Sequence, residues 1–113
     1  MQVRLLGEKR ALLVRLSGEL DHHSAVSVKE EADSMLRSTN AVNIIFDFSD
    51  LNFMDSSGIG MVMGRYKKVR TLGGRVIAYG VSAQIMRILK MSGIDKIIKL
   101  TPDYERAVRL LDK

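Results

Sequence analysis

The spacing of apolar residues changes repeatedly along the chain, and the changes predict strands and helices in turn. Short runs rich in β-branched, leucine and aromatic residues are typical of strands, and they cover residues 3–6, 12–16, 42–48, 75–80 and 94–100. Between and after the later runs, apolar residues recur at three- and four-residue steps, which is one face of a helix. These segments are predicted to begin near residues 22, 58, 82 and 101 and to end near residues 38, 72, 93 and 111.

Polar and glycine residues at the ends of these segments support the same boundaries. Asp21 and Ser82 are good N-caps, and Gly73-Gly74 stops a helix in the manner of a left-handed cap. Pro102 is predicted at the first position of the last helix. The polar turn at residues 7–10 joins the first two strands as an antiparallel hairpin.

The order of the elements predicts the fold class. After the hairpin, strands and helices alternate, which means parallel strands joined by right-handed helical crossovers. We therefore expect one α/β domain over residues 1–113, with a mixed, mostly parallel sheet of four to five strands and about four helices.

Composition narrows the class of protein. The 113 residues suffice for about one hydrophobic core. The absence of cysteine excludes disulfides and thiolate metal sites and fits an intracellular, cytoplasmic protein. There is no secretion-signal pattern and no run of 18 apolar residues, so we expect no membrane span.

Charge is unevenly distributed and leaves an alternative function open. Residues 1–56 hold six Lys/Arg and nine Asp/Glu, giving −3, whereas residues 57–113 hold twelve and four, giving +8. Such asymmetry can indicate a small basic nucleic-acid-binding domain. The other explanation is that the basic residues line solvated helix faces, as predicted for Arg65, Lys67, Lys68 and Arg70, mostly opposite the apolar stripe of their helix.

The candidate chemistry centres on the turn Asp55-Ser56-Ser57-Gly58-Ile59-Gly60. It is predicted to be a loop that leads from a buried strand into a helix, where backbone N–H groups lack intrahelical partners. One interpretation is a capping sequence, since Asp and Ser are common N-caps. Another is a regulatory phosphoserine, because the helix dipole tolerates added negative charge.

Enzymatic interpretations of the same turn are poorly supported. A nucleophile elbow has a glycine two positions before its serine, and Ser57 has no glycine at that position. The glycines at positions 58, 60 and 64 do not have the spacing of a dinucleotide-binding loop, and no Lys-Ser/Thr follows for a P-loop. No catalytic residue is predicted.

The adjacent histidines are not predicted to bind a metal. Val26 and Ser27 stand four residues after His22 and His23, so neither histidine has a ligand partner at helical spacing. We interpret them as polar residues in the first turn of a helix. Asp21 ends a similar strand–turn–helix unit, and because parallel strands end at one rim, Asp21 and Ser57 are expected to face one surface.

The chain resembles the anti-sigma factor antagonists of the STAS-domain family, and more narrowly those of endospore-forming bacteria. The resemblance covers nearly the whole chain and is carried by residues 16–23, 50–60, 64–67, 73–74 and 91–98. The Asp-Ser-Ser-Gly element followed by Gly-Arg-Tyr-Lys is its most specific part.

The resemblance implies a phosphorylation-switched regulator of transcription without an active site of its own. In that family the serine before the glycine, here Ser57, is phosphorylated by the anti-sigma factor, a serine kinase that uses ATP. The unphosphorylated antagonist binds this kinase and releases a sporulation sigma factor, and a metal-dependent serine phosphatase resets it. The resemblance places Asp21 and residues 55–60 at the partner surface. It implies no metal or cofactor, apart from weak nucleotide binding described for some members.

Overall fold

Within residues 1–112, which the computed structural model describes, five strands form one sheet and lie side by side in chain order. The strands are β1 (Gln2–Leu6), β2 (Ala11–Leu20), β3 (Asn43–Met54), β4 (Val76–Tyr79) and β5 (Lys99–Thr101). β1 is antiparallel to β2, whereas the pairs β2–β3, β3–β4 and β4–β5 are parallel. The predicted hairpin and the mixed, mostly parallel sheet are confirmed.

The helices of the described chain lie on both faces of this sheet. They are α1 (His22–Ser38), α2 (Ser56–Thr71), α3 (Ala83–Ser92) and α4 (Tyr104–Leu110). Alternate strand residues such as Leu12, Ile44 and Phe46 face the main core with α1, α2 and α3. The intervening residues, such as Ile45 and Ile77, form a smaller core with α4. No helix in residues 1–112 is long and apolar enough to span a lipid bilayer.

The two central strands run further than the apolar runs predict. Residues 17–20 of β2 continue to pair with residues 50–54 of β3, although the stretch contains polar residues and two shifts of register. Gly18 takes a positive φ of 68° at one of these shifts, a conformation that glycine adopts without strain. As a result both strands end one residue before an aspartate.

The last strand and the last helix were predicted wrongly at their starts. Ile94–Lys96 forms a single 3₁₀ turn after Gly93, whose φ is 81°, so the strand is confined to β5. Pro102 does not open α4. Asp103 is the N-cap instead, and its carboxylate accepts a hydrogen bond from the N–H of Arg106 at 2.9 Å.

Candidate functional site

The ends of β2 and β3 bring two aspartates to one rim of the sheet. Leu20 pairs with Met54 in the parallel register, so Asp21 and Asp55 follow paired positions. Each aspartate is the N-cap of the next helix, α1 or α2. The N-termini of these two helices therefore lie side by side, as the prediction of a shared rim requires.

Asp55 sets the start of α2. Its Oδ1 accepts hydrogen bonds from the backbone N–H groups of Ser57 at 2.8 Å and Gly58 at 3.2 Å. Because these two donors are satisfied by the cap, the helix begins at Ser56, and the prediction that it begins at Gly58 after a loop is wrong. Both serines of the turn lie in the first turn of the helix.

The two serine side chains have different surroundings. Ser56 is exposed, whereas Ser57 is half-buried and its Oγ lies 3.4 Å from His22 Nδ1, at the outer limit of a hydrogen bond. His22 opens α1, so this contact joins the first turns of the two helices. His22 was not predicted to belong to the site, although the predicted shared rim brings the first turns of the two helices together.

The Ser57–His22 contact is not a built catalytic pair. A nucleophilic serine needs a base that is itself oriented by a third group. Among the described residues, the other ring nitrogen of His22 has no hydrogen-bond or ion-pair partner that could orient the ring. The contact is better suited to holding a hydroxyl in place than to removing its proton.

The residues after Ser57 serve different purposes. A Cβ added at Gly58 would lie 3.0 Å from side-chain atoms of Leu20 and Met54, so a larger residue would have to displace them where α2 meets the strand ends. Ile59 is half-buried and packs against the main core. Gly60 is exposed, and a Cβ there would meet nothing within 4 Å.

Asp21 forms a capping box at the start of α1. Its Oδ1 accepts from the N–H of Ser24 at 2.9 Å, and Ser24 Oγ accepts from the N–H of Asp21 at 3.0 Å. The bond from the Ser24 backbone is the main cause that lowers the pKa of Asp21 below its usual value. Asp21 is exposed, and these bonds hold its carboxylate on the same rim as Ser57.

A buried ion pair holds α1 against α2. Arg65 is 5% exposed and its Nε lies 3.1 Å from Asp33 Oδ1, while Lys68 Nζ approaches Asp33 Oδ2 at 3.4 Å. Burial lowers the pKa of the Arg65 guanidinium, and the charge of Asp33 opposes that shift. The prediction that Arg65 lies on a solvated face is wrong, because its partner is on another helix and cannot be identified from the spacing within α2.

A groove of about 390 Å³ runs between α1 and α2 and starts at Ser57. It is lined by three basic or imidazole side chains and by small or apolar residues: His22, Lys29, Arg65, Ala25, Val26, Ser57, Gly60, Met61 and Gly64. We call it the α1–α2 groove. In the described part of the chain, no three histidine or acidic side chains come close enough to hold a metal ion.

Comparisons with known proteins agree on one family. The sequence profile of the STAS domain matches residues 2–107. The chain is 37% identical to the anti-sigma F factor antagonist of Paenibacillus polymyxa over 98% of this chain and 92% of that protein.

Two solved structures share the fold. One is the anti-sigma factor antagonist SpoIIAA in its unphosphorylated form, with 27% identity, coverage of 93% and 90%, and a TM-score of 0.75. The other is the Bacillus cell fate determinant SpoIIAA in the phosphorylated form, with 28% identity, coverage of 96% and 97%, and a TM-score of 0.76.

Proposed function

The chain belongs to the STAS-domain family, in its branch of anti-sigma factor antagonists, and we propose that phosphorylation of Ser57 controls its binding to an anti-sigma factor. In this proposal the unphosphorylated chain binds the anti-sigma factor and releases a sporulation sigma factor. The anti-sigma factor is a serine kinase that inactivates the antagonist with ATP, and a metal-dependent serine phosphatase restores it. The chain itself is a substrate of these enzymes and not a catalyst.

The observation that carries the proposal is the placement of the Ser57 hydroxyl. It lies at the surface in the first turn of α2, on a rim that also presents Asp21 and the exposed Ser56 and Gly60. A kinase can reach a hydroxyl at this position without unfolding the helix. The similarity to a protein described in both unphosphorylated and phosphorylated forms supports the same conclusion.

The charge of a phosphate explains how one modification controls binding. Phosphorylation adds about −1.5 to −2 charges to a side chain that follows Asp55 by two residues. A partner surface that fits a neutral hydroxyl beside this carboxylate lacks the cations that a dianion requires. Asp21 and residues 55–60 would form the contact, as the family resemblance implies.

The nucleic-acid alternative has less support from the structure. Several basic residues of the C-terminal half have structural contacts: Arg65 pairs with Asp33, Arg70 Nη1 donates to Tyr66 Oη at 2.8 Å, and Arg75 Nη1 donates to the carbonyl of Leu110 at 3.0 Å. Salt-sensitive binding to DNA or RNA, without binding to a kinase, would favour this alternative.

The direct test is phosphate transfer onto matched serine variants. The wild-type chain, Ser57→Ala and Ser56→Ala are incubated with ATP and the anti-sigma factor kinase from the genome that encodes this chain. Mass spectrometry should find one phosphate on the wild type and on Ser56→Ala, and none on Ser57→Ala. Equal labelling of the two variants would assign the phosphate elsewhere and overturn the role of Ser57.

A further inference from the structure

Two glycines inside α2 are not required by the fold. Gly60 and Gly64 lie one helical turn apart, and neither has the positive φ that favours glycine. A Cβ at either position would meet nothing within 4 Å, unlike at Gly58. Because glycine in a helix interior makes the helix less stable than alanine does, both glycines lower the stability of α2, and no packing contact requires them.

The α1–α2 groove supplies a reason, because both glycines line it. Glycine allows another backbone to approach a helix more closely than any side chain would. The walls of the groove are partly apolar, and they include Val26, which is 40% exposed. A segment of another protein can therefore lie along α2 and bury this surface.

Arg65 indicates the chemistry of that segment. The residue is 95% buried and lines the groove, yet its Nη1 has no hydrogen-bond partner among the described residues. Asp33 cannot satisfy the whole guanidinium, because it approaches Nε without hydrogen-bond geometry and is shared with Lys68. A buried donor without an acceptor destabilises the free protein. Nη1 has almost no accessible surface, so an acceptor in the groove would reach the guanidinium through the atoms of Arg65 that line it.

The charges around the groove favour a carboxylate. Lys29 contributes a positive charge, Arg65 contributes one that Asp33 partly offsets, and His22 lies at the Ser57 end, while none of the described lining residues is acidic. We propose that the α1–α2 groove receives a segment of the anti-sigma factor whose Asp or Glu side chain pairs with Arg65 and Lys29. This inference rests on the proposed function, since it names the part of the chain that holds the same partner.

The position of the groove connects it to the switch. Its lining begins at Ser57, so an acidic segment seated there lies beside the hydroxyl that the kinase modifies. After phosphorylation, the phosphate and the carboxylate would stand close together with like charge. Repulsion inside the groove would then release the partner.

The test fills the groove and reverses its charge, each change with a matched control. Gly64→Leu places a side chain in the groove, and Lys67→Leu introduces the same residue at an exposed position of α2 outside the lining. Lys29→Glu reverses a lining charge, and Lys90→Glu makes the same change at an exposed position of α3. Each variant, in its unphosphorylated form, is titrated with the anti-sigma factor kinase, and its melting temperature is measured.

We expect Gly64→Leu to bind at least about tenfold more weakly, and Lys29→Glu about three- to tenfold more weakly. Both controls should bind like the wild type. The melting temperature of Gly64→Leu should not fall, because leucine is a better helix former than glycine. If the Asp or Glu of the anti-sigma factor that pairs with Lys29 is replaced by lysine, this kinase variant should bind Lys29→Glu with recovered affinity.

The outcomes separate this inference from the proposed function. If the wild type is phosphorylated on Ser57 and both groove variants bind normally, the groove is not the binding site of the anti-sigma factor segment, and the proposed function stands. If Gly64→Leu instead changes self-association by sedimentation, the occupant is a second copy and the inference is wrong. If Gly64→Leu does not fold, the titrations of Gly64→Ala and Lys29→Glu with the kinase decide whether the groove binds the segment. A wild type that neither binds the kinase nor accepts phosphate overturns both proposals.

Discussion

Phosphorylation of Ser57 should change partner binding while leaving the fold almost unchanged. The perturbation is the addition of about −1.5 to −2 charges in the first turn of α2. Two opposing effects act there on the free energy of unfolding. The helix N-terminus attracts negative charge by about 0.3–1 kcal/mol, whereas the Asp55 carboxylate repels it.

The structure limits the size of both effects. The N–H groups of Ser57 and Gly58 already donate to Asp55 Oδ1 at 2.8 and 3.2 Å, so the phosphate finds two of the helix donors occupied. At a surface position, a carboxylate and a phosphate of about −1.5 to −2 charges that lie about 5 Å apart repel by roughly 1–2 kcal/mol in a water-like dielectric. The two effects nearly cancel, and the net change in stability should stay within about 1 kcal/mol.

The complex faces a different balance. Burying a dianion against a surface that lacks a matching cation typically costs several kcal/mol, and about 3 kcal/mol corresponds to a roughly 100-fold loss of affinity. The phosphate mimics Ser57→Asp and Ser57→Glu carry less charge than phosphoserine. They should therefore lose less affinity than the phosphorylated chain.

The assay compares both forms in thermal melts and in titrations with the anti-sigma factor kinase. For a chain of this length, 1 kcal/mol corresponds to a shift of about 3–6 °C in melting temperature. We expect a shift no larger than this, together with the roughly 100-fold loss of binding. A shift of about ten degrees or more, or loss of the near-UV signal of packed tertiary structure, would refute the reasoning and show that the switch acts through the fold.

Three further predictions concern residues around the site and the core. Asp21→Asn should keep the helix cap and most of the stability while weakening kinase binding, whereas Asp21→Ala should lose both the cap and the binding. Unchanged binding in the folded variants would leave Asp21 a capping role alone. Asp33→Ala should lower the free energy of unfolding in urea by about 3–5 kcal/mol, since it leaves Arg65 as an unpaired buried charge; a loss below about 1 kcal/mol would show that the ion pair behaves as an exposed one. Burial, and then the hydrogen bond to Asp47, raise the pKa of Tyr79 from 10.0 to about 12. The neutral tyrosine therefore stabilises the folded chain fully below about pH 10, and this contribution should be lost as pH rises through 12. The loss in the free energy of unfolding should reach up to roughly 2–3 kcal/mol. Tyr79→Phe should remove that part of the alkaline loss, and an identical alkaline profile in the variant would contradict the shift.

Apolar periodicity predicted the number and order of the elements, because each strand and helix buries one face in a core. It failed at boundaries that depend on other contacts. Residues 50–54 mix polar and apolar positions and lie beyond the predicted strand, but they remain in β3 because β2 continues beside them. Pro102 is compatible with the first helical position or with a place before the cap, and the Asp103 side chain decides between them.

The site was less predictable, because its contacts join different helices. His22 and Ser57 are 35 residues apart in sequence, and Asp33 and Arg65 are on α1 and α2. Within either helix, each of these residues has the spacing of an ordinary polar position. Only the packing of α1 against α2 reveals that one pair lies at the rim and that the other is buried beneath the groove.

The distinction between capping and binding residues determines which substitutions can test the function. Asp21 and Asp55 each hold the start of a helix through backbone hydrogen bonds, so a loss of binding after removing either carboxylate could arise from a frayed helix. The side chains of Ser56 and Lys29 make no such hydrogen bond or ion pair within the described chain, and a Cβ at Gly64 would meet open space. Substitutions there leave the caps and the buried ion pair intact. A loss of affinity at Lys29 and Gly64 without a fall in melting temperature would therefore identify the binding surface itself.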